Sequence, residues 1–93
     1  MGKTKSSNIF VVLNDKGLHT RPSTELVKCI SRYKSDVTLY YHDLSVNAKS
    51  LLGILMLAAS RGAKIRVEAE GEDAEDAVKA ILLLAKKKFN IRY

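Results

Sequence analysis

The periodicity of apolar and polar positions changes several times along the chain, and each change marks an element. Ile9-Phe10-Val11-Val12-Leu13 is apolar without a break, the pattern of a strand covered on both faces and so central in a sheet. Leu26, Val27, Ile30 and Tyr33 then recur at helical period. Thr20 stands where an N-cap hydroxyl is expected, and Pro22 suits the first turn, where its missing N–H is not needed. Val37, Leu39 and Tyr41 alternate with Thr38 and Tyr40; Leu44, Val46 and Ala48 alternate with Ser45 and Asn47. Across the short break His42-Asp43 these runs read as a hairpin. The break lacks the glycine that a type I′ turn favours, which leaves the turn type open.

Ser50 is placed to N-cap a short helix with Leu51 to Ala59 as its body and Gly62 as its stop. Ile65, Val67 and Ala69 alternate with Lys64, Arg66 and Glu68, a strand with one face buried. Gly71 precedes a last helix with Asp73 as N-cap and Glu75 and Asp76 in a dipole-favoured first turn. Its buried stripe is Ala74, Ala77, Val78, Ile81, Leu84 and Ala85, and Lys86, Lys87 and Lys88 sit at its negative end. The order βαββαβα, with one apolar sheet face, predicts an α+β open-faced sandwich. A four-stranded antiparallel sheet is covered on one face by three helices. Residues 1–8 are polar and basic and are expected to form a flexible tail, leaving residues 9–93 as a single domain.

Composition narrows the function classes. At 93 residues and 46% hydrophobic, the chain is expected to fold as one domain with a modest core and no room for a deep catalytic cleft. The single cysteine, Cys29, excludes an internal disulfide and fits a reducing cytosol; its place near the apolar stripe of the first helix suits a small buried hydrophobe. Leu51 to Ala59 is too short to span a membrane, and no secretory apolar segment is seen near the start, so a cytoplasmic location is expected. The chemistry concentrates in Asp15-Lys16-Gly17-Leu18-His19-Thr20-Arg21-Pro22-Ser23. His19, one of two histidines, precedes a helix start and stands beside the planar cationic fork of Arg21. Helix N-termini and arginine both welcome phosphate, and a free imidazole can attack phosphorus. His42 reads as a solvated turn residue.

Gly17-Leu18-His19-Thr20-Arg21-Pro22 resembles the active-site signature of the HPr family, phosphocarriers of the bacterial phosphotransferase system. Ser45-Val46-Asn47-Ala48-Lys49-Ser50-Leu51-Leu52-Gly53-Ile54 resembles the regulatory-serine segment of the same family, at the matching separation. The likeness runs from about Ile9 to about Lys86. It implies that His19 carries a phosphoryl group on Nδ1, a choice of nitrogen the sequence itself does not make. Arg21 would offset the phosphoryl charge. It implies enzyme I as donor, enzyme II A domains as acceptors, and a monomer with neither metal nor other cofactor. It further implies phosphorylation of Ser50 by HPr kinase/phosphorylase, with Leu51, Leu52, Leu55, Thr20 and Lys49 in the docking surface. Lys16 and Ser23 depart from the Asn or Ser and the Ala common in the family.

The formal net charge of +6 suggests two other classes. One is a small nucleic-acid binder using Lys3, Lys5 and the Lys86 to Arg92 stretch. No RNP-like strand and no aromatic interleaving among the lysines support it. The other is a regulatory member of the HPr family acting by protein binding; His19 and Arg21 argue against a purely non-phosphorylated regulator, but not against a nitrogen- or virulence-linked branch.

Overall fold

The structure of the chain, a computed structural model, describes residues 4–92. Four strands, β1 (Thr4–Val11), β2 (Asp36–Tyr41), β3 (Leu44–Asn47) and β4 (Lys64–Gly71), form one antiparallel sheet in the order β1-β4-β2-β3. Three helices, α1 (Thr20–Ile30), α2 (Leu51–Met56) and α3 (Ala74–Lys86), complete the open-faced sandwich, and a single helical turn, Lys88–Asn90, follows α3. Cross-strand neighbours on the covered face are Phe10 with Ile65, Leu39 with Val67 and Val37 with Ala69. Together with Leu26, Ile30, Ile54 and Ile81 they make the core. Each fully buried Leu, Ile or Phe contributes about 1.5–3 kcal/mol relative to exposure.

Two expectations about β1 are corrected. Apolar continuity over residues 9–13 suggests a central strand beginning at Ile9; β1 instead begins at Thr4 and lies at the sheet edge. Only Phe10 and Val12 of that run are buried, while Ile9 is 54% exposed. Backbone pairing with the eight-residue β4 draws Thr4–Asn8 into the sheet, a force that acts regardless of side-chain polarity. Residues 4–8 of the expected tail are therefore strand, and residues 1–3 lie outside the described part.

Helix bounds also shift. Tyr33 lies beyond α1, which ends at Ile30, where the Ser31 hydroxyl donates to Val27 O at 2.7 Å. α2 ends at Met56 rather than Ala59, because Ala58 takes a left-handed conformation (φ 50°). Gly62 (φ 89°) turns the chain into β4 instead, its N–H donating to Val12 O at 2.8 Å. In the hairpin, Tyr41 pairs with Leu44 across His42-Asp43, and of the two only His42 has positive φ (55°). Type I′ requires both, so the turn is of another type.

Asp73 stands at the N-cap of α3, yet its side chain does not cap that helix. The carboxylate instead accepts from the Ser35 hydroxyl at 2.5 Å, from Lys34 N–H at 2.9 Å and from Ser35 N–H at 2.9 Å, tying α3 to the start of β2. The Ser35 hydroxyl first, then the Lys34 amide, hold the Asp73 carboxyl down at about 2. A carboxylate depressed in the folded state stabilises above its unfolded value of about 4, and the contribution fades as pH falls through the folded value. Asp73→Ala should therefore melt below the parent at neutral pH, with the gap closing between about pH 4 and pH 2. Thermal melts across that range check it; a gap independent of pH would contradict the assignment.

Candidate functional site

His19 is the residue on which β1, α1 and the segment after α2 converge. It is the N-cap of α1, with extended backbone (φ −81°, ψ −168°), and its carbonyl accepts the Ser23 N–H at 3.1 Å. Thr20, expected at that position, is the first helical residue and is exposed. Pro22 remains in the first turn and is buried. The His19 imidazole makes no cap hydrogen bond to α1, and the residue is half-buried at the helix's positive end.

The loop before His19 is built from backbone contacts. The Gly17 N–H donates to Asn14 O at 3.0 Å, and the Leu18 N–H to Ala59 O at 2.9 Å. Gly17 takes φ 71°, and a Cβ there would lie 2.2 Å from Ala59 O. Only glycine meets both the conformation and the close approach. Leu18 is buried, and the Ser23 hydroxyl, itself buried, donates to Leu18 O at 3.1 Å. A glycine before His19 signals a tight approach of the chain, but neither its partner Ala59 nor Asn14, which is fully buried, is signalled by sequence pattern.

Charge around the loop is mostly positive. Lys16 and Arg21 are exposed, and Asp15 pairs with Arg61 at 3.3 Å. His42 is exposed in the β2–β3 hairpin, its ring 4.1 Å from that of Tyr41. Among the described residues no group of three or more His, Cys, Asp or Glu gathers as a metal site. Cys29 is half-buried, and burial pushes its thiol up, partly opposed by Arg32; such a thiol is a poor nucleophile.

α2 packs against α1. The Ser50 hydroxyl accepts the Gly53 N–H at 3.0 Å, the N-cap contact its position in sequence suggests. Leu51 and Leu52 face solvent at 37% and 69% exposure, Leu55 is half-buried and Ile54 is core. Met56, one turn beyond Leu52 and 64% exposed, extends the patch; its i+4 spacing is the signal that finds it. Lys49, also expected in the docking surface, is half-buried. Its ammonium donates to Tyr33 O at 2.8 Å, closing the turn after α1.

Comparison with known proteins decides the family. Residues 6–87 match the family model described as PTS HPr component phosphorylation site. The chain belongs to the HPr family. It is 42% identical over 81 residues to the phosphocarrier protein HPr of Xylella fastidiosa, covering 87% of this chain and 91% of that one. A crystal structure of HPr-C-His from Thermoanaerobacter tengcongensis superposes with a TM-score of 0.89 at 34% identity, covering 95% of this chain and 99% of that chain. The phosphocarrier HPr of Bacillus anthracis gives 0.82 at 32% identity, covering 86% and 95%. HPr proteins are phosphocarriers of the phosphotransferase system, and this chain shares their sheet, helices and strand order. Within the HPr frame, Ser23 gives this chain the loop tether to Leu18 that an alanine there would lack.

Proposed function

We propose that His19 accepts a phosphoryl group from phospho-enzyme I and passes it to enzyme II A domains of the sugar phosphotransferase system. The observation that carries this reading is the placement of His19: partly buried, at the N-cap of α1, on a loop locked to the segment after α2. The helix terminus and Arg21 favour the phosphoryl charge, and the imidazole supplies the lone pair. As the phosphorus–nitrogen bond forms, the bond to the donor breaks. By likeness to the family the accepting atom is Nδ1. A surface site suffices because phosphoryl transfer relies on positioning and electrostatics, part of which the partner supplies. No described helix is long and apolar enough to cross a membrane; we place the protein in the cytoplasm as a monomer.

Leu51, Leu52, Leu55 and Met56 form the docking patch for both partners, with Thr20 at its margin by His19. Ser50, at the edge of that patch, is the regulatory position, modified by HPr kinase/phosphorylase. Onward transfer tests the reading: the isolated phosphorylated protein, mixed with an unphosphorylated enzyme II A domain, should hand over its label. Retention of the label on this chain would contradict it.

Arg21→Lys retains the charge and loses the bidentate fork. It should slow transfer from enzyme I roughly tenfold without changing the melting temperature. Steady-state kinetics decide this; a wild-type rate in Arg21→Lys would show that the charge alone suffices.

A further inference from the structure

The chain continues past α3 into a turn with an unusual backbone. Lys88, Phe89 and Asn90 have φ of 54°, 56° and 64°, three consecutive left-handed residues without a glycine. Such a conformation persists only where its surroundings impose it. Here the anchor is Phe89, 0% exposed, its ring packed edge-on to Phe10 at 6.0 Å. The family-model match ends at residue 87, just before the turn.

What the turn touches gives it a role. Lys88 O accepts from the Asn14 side-chain amide at 2.9 Å, and the Asn90 amide donates to Glu25 of α1 at 3.4 Å. Asn14 opens the loop that leads to His19, and α1 begins immediately after His19. The turn thus holds the chain on both sides of the histidine. Asn14 is 0% exposed, and its own carbonyl accepts the Gly17 N–H at 3.0 Å. One buried side chain therefore connects the C-terminal turn to the first backbone bond of the loop.

We infer that the turn Lys88–Asn90 is a brace for the phosphoryl site, and that Asn14 is the positioning residue joining it to the His19 loop. The inference rests on the role of His19 proposed above. Asn14 acts through the loop backbone, fixing where the imidazole stands. A group transfer between two proteins is sensitive to that placement, since an error of about 1 Å at a reacting atom can cost a large factor in rate. Binding of the donor, carried by α2, is left alone.

The test compares the full chain with Asn14→Ala, Phe89→Leu and a control, Val67→Ala, which opens a cavity in the core at the centre of the sheet. Melts first establish that each is folded at the assay temperature. Asn14→Ala should lower kcat for transfer from enzyme I roughly tenfold, with KM changed by less than about twofold. In the absence of any partner, it should shift and broaden the His19 ring resonances and leave those of His42 in place. Phe89→Leu, which keeps the site apolar but loosens the turn, should act in the same direction and serves alone if Asn14→Ala does not fold. Val67→Ala should leave kcat and the His19 resonances unchanged at a comparable loss of melting temperature. Wild-type kcat and unmoved His19 resonances in the turn variants would overturn the brace, as would an equal change in Val67→Ala. If the wild-type chain is not labelled at all, the role of His19 fails. The resonance comparison needs no enzyme and still decides the brace.

Discussion

Gly17→Ala should cost about 2–4 kcal/mol of stability and slow phosphoryl transfer roughly a hundredfold. The new Cβ would lie 2.2 Å from Ala59 O and 2.8 Å from Ser60 Cα, both backbone atoms that cannot rotate away. The φ of 71° adds the left-handed penalty of a residue with a side chain. Relief requires the loop to withdraw from the segment after α2, which breaks the Leu18–Ala59 hydrogen bond one residue before His19. Gly62→Ala is the matched comparison. Its φ is 89°, but nothing lies within 4 Å of the added methyl. It should cost about 1 kcal/mol and leave transfer near wild type. Melts and transfer kinetics on both variants check the contrast. Equal effects at the two positions would show that the Gly17–Ala59 approach has no special part in the site.

Ser50→Asp should raise the apparent KM for phospho-enzyme I about tenfold while lowering kcat far less. Ser50 sits at the start of α2, beside Leu51 and Leu52, which are exposed and proposed to dock. A carboxylate at that edge must be desolvated on docking and repels acidic groups of the partner. The helix itself tolerates the change, because aspartate is a good N-cap and can accept the Gly53 N–H as Ser50 does. Ser50→Ala should show the opposite balance, near-normal transfer with a loss of about 0.5–2 kcal/mol from the missing cap. Both variants are read by kinetics and melts. An unchanged KM in Ser50→Asp would leave Ser50 as a cap alone.

Local rules that act over one turn or one strand were legible. The alternation of Ile65, Val67 and Ala69, the Ser50 cap and the α3 stripe stand as their spacing suggests, save that Leu84 of the stripe is only partly buried. The His19–Arg21 segment was also visible, because cap, proline and cation lie within a few residues. What escaped is long-range. Thr4–Asn8 look like a tail until β4 offers them backbone partners. Asp73 has the position of a cap, but its carboxylate serves a backbone 38 residues away. The bond of Lys49 to Tyr33 O, 16 residues away, has no local signal. The Lys-Phe-Asn turn carries no glycine to announce three left-handed residues; only the burial of Phe89 makes them necessary. Thr20 missed the cap by one residue because His19, a weak cap former, holds that place with its backbone.

Labelling with radioactive phosphoenolpyruvate and enzyme I tests the role of His19 most directly. The wild-type chain, His19→Ala and His42→Ala are compared, and the label is then challenged with acid and with alkali. A single acid-labile, alkali-stable phosphate is expected in the wild type and in His42→Ala, and none in His19→Ala. Label that survives in His19→Ala would contradict that role.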